Sequence, residues 1–229
     1  KLAFAAPPAL DSLLASLLDA SETSSAFAFG FGPALFLGSS PERLITRQGL
    51  EVRTEALAGS AEGSNPSSEL GLAKNLSEHS LVVQAVLDAM TPLCEHLEVP
   101  DAPVIRNLPA LSHLHTPFVG RLREPRHVLS LVEALHPTPA VGGVPTPEAV
   151  DWIVRHEGFE RGWYSGPVGW FDSLGDGSFV VGLRSGLLQE KSARLYAGAG
   201  IVEGSLADHE FEETRWKLRT LLQILGVDR

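Results

Sequence analysis

The stretch LYAGAGIVEGSLADHEFEETRWK, residues 195–217, decides how the end of the chain folds. A strand-like run passes through a glycine turn into a helical pattern that carries several acids and a base. GAGIVEG at 198–204 nearly matches the dinucleotide fingerprint GxGxxG, but Glu203 stands where Gly or Ala is needed for close helix packing. Too few residues follow the helix to supply the second parallel strand of a βαβ unit. The stretch therefore argues against a dinucleotide-binding fold, and its glycines can hold a small anion or nothing.

The helix after the glycine turn brings acids and a base to one side. At about 100° per residue, Glu210, Glu213 and Lys217 fall within about 60° of one another. They adjoin an apolar stripe formed by Phe211, Leu218, Leu221, Leu222 and Leu225. Ser205 and Asp208 resemble a capping box that sets the start of the helix. Two readings stay open: an amphipathic helix with internal ion pairs, or a cleft in which the acids hold a metal.

A second helix carries a carboxylate in a partly apolar setting. In KNLSEHSLVVQAVLDAM, residues 74–90, the main apolar stripe is Leu76, Val83, Leu87 and Met90. Glu78 lies on the opposite face, yet that face continues with Val82, Ala85 and Ala89. A carboxylate covered in this way needs a cation or a hydrogen-bond donor. Lys74, four residues earlier, is one such partner, and a metal ion is the other.

Three further polar residues stand in strand-like runs. His113 and His115 alternate on one face of a predicted strand, but no cysteine or third histidine lies nearby at zinc spacing, which disfavours a zinc site. Arg184 stands inside the apolar run VVGLRSG. A buried guanidinium usually meets a carboxylate, either from the protein or from a ligand.

Composition limits the class of protein. The chain has 229 residues and a net charge of −10, with no basic stripe, which argues against nucleic acid as a partner. A small anionic substrate remains compatible, because it needs only a local positive site or a bound cation. The single cysteine, Cys94, allows no internal disulfide, and the longest nearly apolar run, 26–38, is too short and glycine-rich to span a bilayer. We therefore expect a soluble, cytoplasmic protein with no membrane partner.

The order of the elements predicts an α+β fold with largely antiparallel sheets and flanking helices. Strands are predicted at 1–6, as a meander over 26–57, in VIRNL and SHLHTPFVGRL, and as hairpins over 163–200. Helices are predicted at 9–20, 69–97, 125–135, 147–156 and 206–225, with a polar loop at 58–68. Parallel βαβ alternation is absent from this pattern.

Eight stretches, in order along the chain, resemble the chorismate-binding enzymes, the family of isochorismate synthase, anthranilate synthase component I, aminodeoxychorismate synthase and salicylate synthase. They are FLGSSPERL (36–44), RTEALAGS (53–60), SEHSLVV (77–83), HLHTPF (113–118), LHPTPAVGG (135–143), HEGFERGWYSGPVGW (156–170), VVGLRSG (180–186), and RLYAGAGIV with EFEETRWK (194–217). The resemblance implies an anthranilate synthase component I-like fold, an enzyme acting on chorismate, and a single catalytic domain over residues 1–229.

Position 57 separates the branches of this family. The amine-adding members are similar to a P-I-A-G-T pattern, whereas this chain has Leu57 in ALAGS, which resembles the isochorismate synthases, where water attacks. SPERL and LHPTPA are also similar to that branch, to its menaquinone-pathway enzymes first and its siderophore-pathway enzymes next. The resemblance thus implies an isochorismate synthase, an isomerase. Another chorismate-using synthase and a catalytically silent chorismate-binding module are the alternatives.

The resemblance also implies roles for individual residues. Glu78 and Glu213 match magnesium-binding glutamates, with Glu210 beside them, and Mg²⁺ is the expected cofactor. Glu42 matches the general acid that protonates the departing C4 hydroxyl, which requires a raised pKa. The expected substrate-binding positions are Leu57, His113, Ala140, Arg184, Tyr196, Gly198, Gly200 and Lys217.

The water-activating lysine of the family stands in a K-hydrophobic-hydrophobic-x-A context, which only Lys1 in KLAFA matches. Family members are considerably longer, so this chain resembles their C-terminal half to two-thirds. A shortened chain is expected to expose apolar sheet surface and to be a monomer or a homodimer. Chorismate is the only expected partner besides the metal.

Overall fold

Groups of antiparallel strands follow one another along the chain and are separated by one or more helices. The computed structural model describes residues 1–61, 66–108 and 111–227. The strands are β1 (Leu2–Ala3), β2 (Ser25–Phe31), β3 (Ala34–Ser40), β4 (Arg43–Gln48), β5 (Glu51–Ala61), β6 (Cys94–Glu98), β7 (Val104–Asn107), β8 (Ser112–Leu122), β9 (Pro167–Phe171), β10 (Gly177–Val181), β11 (Ser185–Gln189) and β12 (Ser192–Tyr196). The helices are α1 (Leu10–Asp19), α2 (Pro66–Leu70), α3 (Ala73–Met90), α4 (Val128–Leu135), α5 (Pro139–Gly142), α6 (Thr146–His156) and α7 (Ala207–Ile224).

The strands form two sheets. The first is five-stranded in the order β1-β12-β11-β3-β2. The second is seven-stranded in the order β6-β8-β5-β4-β10-β9, with β7 also pairing with β8. All strand pairs of the described residues are antiparallel. The predicted α+β class with antiparallel sheets is therefore confirmed.

The chain crosses between the two sheets at two short connections. It leaves the first sheet after Ser40 and enters the second at Arg43, and it returns between Val181 and Ser185. The predicted single meander is thus divided between the sheets. Each connection is bonded through its backbone to the strand that leads into the other: Ser39 N–H of β3 donates to the Arg184 carbonyl at 3.1 Å, and Val181 N–H of β10 donates to the Glu42 carbonyl at 3.1 Å.

Each sheet buries an apolar face under helices. In the larger core, α3 and α4 contribute Val82, Val86 and Leu131, which belong to the same cluster as Ile45, Val52 and Phe118 of the second sheet. In the smaller core, α1 and α7 contribute Leu13, Leu17, Leu221 and Ile224, clustered with Leu37 and Leu188 of the first sheet. Each such buried side chain contributes about 1.5–3 kcal/mol relative to exposure, so the two clusters fix the sheets and helices that surround the site. Among the described residues, no helix is long and apolar enough to cross a membrane.

The helix predicted over 69–97 was wrong in its extent. It is divided into α2 and α3, and α3 ends at Met90, just before Thr91 and Pro92. Proline disfavours helical geometry in the residue before it, and the chain continues as strand β6. The predicted loop at 58–68 was also wrong at its start, because β5 continues to Ala61; residues 62–65 lie outside the described residues.

The apolar stripe predicted for α3 was also wrong at Leu76. On α3 the buried residues are Asn75, His79, Val82, Val86 and Met90, whereas Leu76 is 44% exposed. The sheet thus covers a face that includes polar side chains with tertiary hydrogen-bond partners.

The start of α7 differs from the capping-box prediction. The helix begins at Ala207 without a side-chain cap, and the Ser205 hydroxyl instead accepts a hydrogen bond from Val202 N–H at 3.1 Å. Phe211 is 65% exposed and so does not belong to the buried stripe of this helix.

Candidate active site

A cavity of about 570 Å³ opens where both sheets meet α3, α6 and the glycine turn after β12. Most of the predicted substrate-site residues line it: Glu42, Leu57, Glu78, His113, Ala140, Arg184, Tyr196, Gly198, Gly200 and Lys217. These positions come from distant parts of the chain, so the fold gathers them in one place. Lys1, Glu210 and Glu213 are the predicted site residues that do not line the cavity.

Glu42 lies in the first connection between the sheets and is only 3% exposed. Its backbone is held at both ends, since its N–H donates to the Ser40 hydroxyl at 3.2 Å and its carbonyl accepts from Val181 N–H at 3.1 Å. Burial first, and the negative charge of Glu55 next, raise the pKa of Glu42 to about 8, while Lys217 and Thr138 act in the opposite direction. The Glu42 carboxyl therefore carries a proton at neutral pH and can donate it into the cavity.

Glu78 projects from α3 toward the glycine turn. A Cβ added at Gly200 would lie 2.9 Å from Glu78 Cδ and closer still to Oε1, so any larger residue there would force this carboxylate to move. Burial and the nearby negative charge of Glu213 raise the pKa of Glu78 to about 7, against the opposing charges of Lys217 and Lys74. The repulsion between the Glu78 and Glu213 carboxylates favours either a proton on Glu78 or a bound cation.

The other two predicted acids lie on α7 behind the cavity wall. Glu210 is buried and forms an ion pair with Lys74, which therefore does not pair with Glu78 as the helix spacing suggested. Glu213 forms an ion pair with Lys217 at 2.6 Å.

The acids fit a magnesium ion better than a metal that needs a closed set of protein ligands. Glu210 Oε2 is buried and has no hydrogen-bond partner among the described residues. In the same part of the chain, no three histidine, cysteine or acidic side chains form a ready-made metal centre. Mg²⁺ needs only one or two carboxylates and completes its shell with water and substrate oxygens. Glu78 and Glu213 are the pair whose mutual repulsion such an ion would relieve.

Arg184 supplies a buried positive charge. It lies in the second connection, not inside a strand, with a φ of 45°. Its guanidinium donates to His113 Nε2 at 2.9 Å, so its protein partner is a neutral ring and not the expected carboxylate. Burial, with the Arg184 charge next, lowers the pKa of His113 well below its usual value, and His113 Nδ1 lies 3.1 Å from the Gly59 carbonyl. The guanidinium charge therefore remains available to an anionic ligand.

Lys217 ties α7 to the glycine turn. Its ammonium donates to the Gly198 carbonyl at 3.0 Å, in addition to its ion pair with Glu213. A Cβ at Gly198 would lie 3.1 Å from the hydroxyl of Tyr164, so this turn also packs closely against the cavity wall. The turn and the helix thus form one surface that presents the Lys217 charge to the cavity.

Sequence reasoning missed part of the aromatic wall and a buried acid. Tyr164 stacks on Tyr196 with ring centroids 5.1 Å apart, and Trp152 and Phe159 also line the cavity. The motif WYSGPVGW marked this region but did not single out Tyr164. Glu55, in the motif RTEALAGS, is buried and hydrogen-bonded to His115, a tertiary contact that spacing along the chain does not reveal.

Lys1 is exposed and does not line the cavity. Leu2 pairs with Ala193, and Lys1 directly precedes this first residue of β1. Leu2 and Ala193 belong to the smaller core, on the face of the sheet opposite the one that carries Tyr196. The predicted base therefore lies outside the cavity.

With this geometry established, comparison with known proteins places the chain. The sequence profile of a family described as "Chorismate binding enzyme" matches residues 1–226. The chain belongs to the chorismate-binding enzymes. Among curated relatives in this family, it is 44% identical to the isochorismate synthase MenF of Bacillus subtilis, covering 100% of this chain and 50% of the relative. It is 45% identical to the salicylate biosynthesis isochorismate synthase of Pseudomonas aeruginosa, covering 88% of this chain and 44% of that protein.

Solved structures of chorismate-binding enzymes show the same fold. The menaquinone-specific isochorismate synthase MenF of Escherichia coli superposes with a TM-score of 0.86 at 35% identity, covering 97% of this chain and 54% of that one. Anthranilate synthase component I of Streptococcus pneumoniae gives a TM-score of 0.80 at 24% identity, which supports the fold alone. The chain spans about half the length of the curated relatives it matches.

Proposed function

We propose that these 229 residues act as one catalytic domain that converts chorismate into isochorismate with the help of Mg²⁺. The observation that supports this best is the pairing, in one cavity, of a protonated buried acid, Glu42, with a carboxylate, Glu78, that is poised for a cation. The reaction needs both features, because a hydroxyl group must leave with a proton and an anionic substrate must be held by an acidic protein.

The substrate-binding step depends on charge. Chorismate carries two carboxylates, and Arg184 and Lys217 offer two positive groups at the cavity wall. We propose that Glu78 and Glu213 hold Mg²⁺, with Glu210 as an auxiliary acid. The bound ion would supply the positive charge that neutralises a substrate carboxylate and fixes its position. Leu57, His113, Ala140 and Tyr196 shape the rest of the pocket, together with the turn of Gly198 and Gly200.

The chemical step exchanges one hydroxyl position for another. A water oxygen bonds to C2 of the ring and gives up a proton to a base, the ring double bonds shift, and the C4–oxygen bond breaks. Glu42 donates its proton to the departing oxygen, so that a water molecule leaves and the overall composition is unchanged. We propose Lys1 as the base, since it is the lysine that matches the family pattern.

The test is product analysis. The protein is incubated with chorismate and Mg²⁺, with EDTA in a parallel sample, and the products are separated by chromatography with mass detection. A new peak of unchanged mass and different retention, lost with EDTA, is the expected result. Salicylate or anthranilate in its place would reject the isochorismate synthase assignment, and turnover that persists in EDTA would reject the metal.

A further inference from the structure

Glu55 is a buried acid that does not line the cavity, yet it binds the backbone next to Glu42. Its Oε1 accepts a hydrogen bond from the N–H of Arg43 at 2.9 Å and another from Arg106 at 3.0 Å. Its Oε2 accepts from His115 Nε2 at 3.1 Å. The side chain is therefore held by three donors from three different strands.

The position of Glu55 coincides with a break between two strands. The ladder between β4 and β5 stops at the pair Thr46–Arg53. Beyond it, side chains of β5 replace the missing backbone bonds: the Thr54 hydroxyl donates to the Leu44 carbonyl at 2.6 Å, and Glu55 accepts from Arg43 N–H. The two side chains thus link β5 to β4 beyond the end of the ladder, as far as Arg43, the residue that follows Glu42.

The surroundings keep Glu55 ionised. Burial alone would raise its pKa, but hydrogen bonds from His115 and Arg43 N–H, together with the charge of Arg106, lower it below the usual value. The groups acting on Glu42 are the Glu55 charge from β5, the Lys217 charge from α7 and the side chain of Thr138. Of these, the Glu55 charge is the one that favours the protonated form of Glu42.

We propose that Glu55 is a positioning residue for Glu42, which fixes the backbone beside the acid and supplies a permanent negative charge that keeps the acid's proton in place. Arg106 and His115 fix the position of the Glu55 carboxylate through their hydrogen bonds. This inference rests on the proposed function in one respect, that Glu42 is the proton donor, and it adds a residue that never touches the substrate.

The variant Glu55→Gln tests the charge separately from the geometry. Glutamine keeps an oxygen that can accept from Arg43 N–H but carries no charge. Infrared titration of the Glu42 carboxyl band, identified by its loss in Glu42→Gln, gives the midpoint directly. We expect the midpoint in Glu55→Gln to fall by about one pH unit relative to the unmodified chain. The high-pH limb of kcat/KM for chorismate should fall by the same amount.

Two further variants keep the inference falsifiable. Glu51→Gln removes a charge from the exposed start of the same strand and should leave the midpoint unchanged. Arg106→Gln removes the partner that neutralises Glu55 and should raise the midpoint, and because the Arg106 side chain is 28% exposed it provides a second test if Glu55→Gln does not fold. An unchanged midpoint in Glu55→Gln, an equal fall in Glu51→Gln, or no rise in Arg106→Gln would overturn the inference.

The infrared experiment requires no turnover, which separates the two proposals. If the protein leaves chorismate unconverted but the midpoints shift as stated, the proposed function fails and the role of Glu55 stands. If chorismate is converted and the midpoints do not move, the role of Glu55 fails and the proposed function stands.

Discussion

Gly200 offers the sharpest test of the candidate metal carboxylate. In Gly200→Ala the new Cβ would lie 2.9 Å from Glu78 Cδ, whereas two carbons in contact prefer about 3.5–4.0 Å. The Glu78 carboxyl must therefore retreat by roughly 1 Å, and a displacement of that size in a catalytic constellation costs about 100-fold in rate. We expect kcat/KM for chorismate to fall by about this factor and the affinity for Mg²⁺ to weaken.

The same substitution should leave the fold intact. Gly200 does not adopt a left-handed backbone conformation, so alanine adds no strain there and changes the stability by less than about 1 kcal/mol. The assay combines initial rates at several Mg²⁺ concentrations, calorimetric titration of Mg²⁺ and a thermal melt.

Gly30→Ala is the matched control for this experiment. No atom lies within 4 Å of the position its Cβ would take, and it should match the unmodified chain in rate and metal affinity. A Gly200→Ala protein that keeps its rate and its Mg²⁺ affinity within about twofold would refute the reasoning, because Glu78 would then not need the space that glycine leaves.

Three more predictions follow from the site. Glu42→Gln should lower kcat by about 10²–10⁴-fold. Because the folded-state pKa of Glu42 is raised to about 8, the unmodified chain loses free energy of unfolding as the pH rises from about 4.5 to 8. This loss should be smaller in Glu42→Gln, as measured by denaturation at each pH. Arg184→Lys removes the planar donor that binds His113 and should raise KM for chorismate about 10-fold or more with little change in melting temperature. Lys1→Ala should abolish most turnover without changing stability, whereas Lys191→Ala, in the neighbouring exposed turn, should change neither.

Most strands and helices could be predicted because their hydrophobic residues repeat with a clear period along the sequence. Alternating runs predicted strands over residues 26–57 and 163–200, and the leucine spacing predicted α1. The division of the meander into two sheets could not be predicted from the sequence, because it depends on pairing between strands that are far apart in sequence, such as β3 with β11. Thr91 and Pro92 did mark the end of α3, and the predicted helix overran that signal.

For the site, too, the sequence predicted some features and not others. The motifs identified the acids and bases that line the cavity, but not their partners. Lys74 binds Glu210, 136 residues away, and Arg184 binds His113, 71 residues away. Helix geometry alone favours neighbours three or four residues apart, so it offered Lys74 as one of two candidate partners for Glu78. Tertiary partners of this kind determine charge and proton affinity, and they require the folded chain.

The cavity and its chemistry share one structural cause. Where the chain passes between the sheets, strand ladders end and backbone groups lose their regular partners. Side chains must replace those bonds, which is why buried polar residues such as Thr54 and Glu55 gather beside the first connection. The same departure of strands leaves space that side chains do not fill, and Glu42 and Arg184 face that space from the two connections. A buried acid that holds its proton and a buried guanidinium without a carboxylate partner therefore both lie where the chain crosses between the sheets, and the proposed substrate, with an oxygen to protonate and carboxylates to bind, suits both.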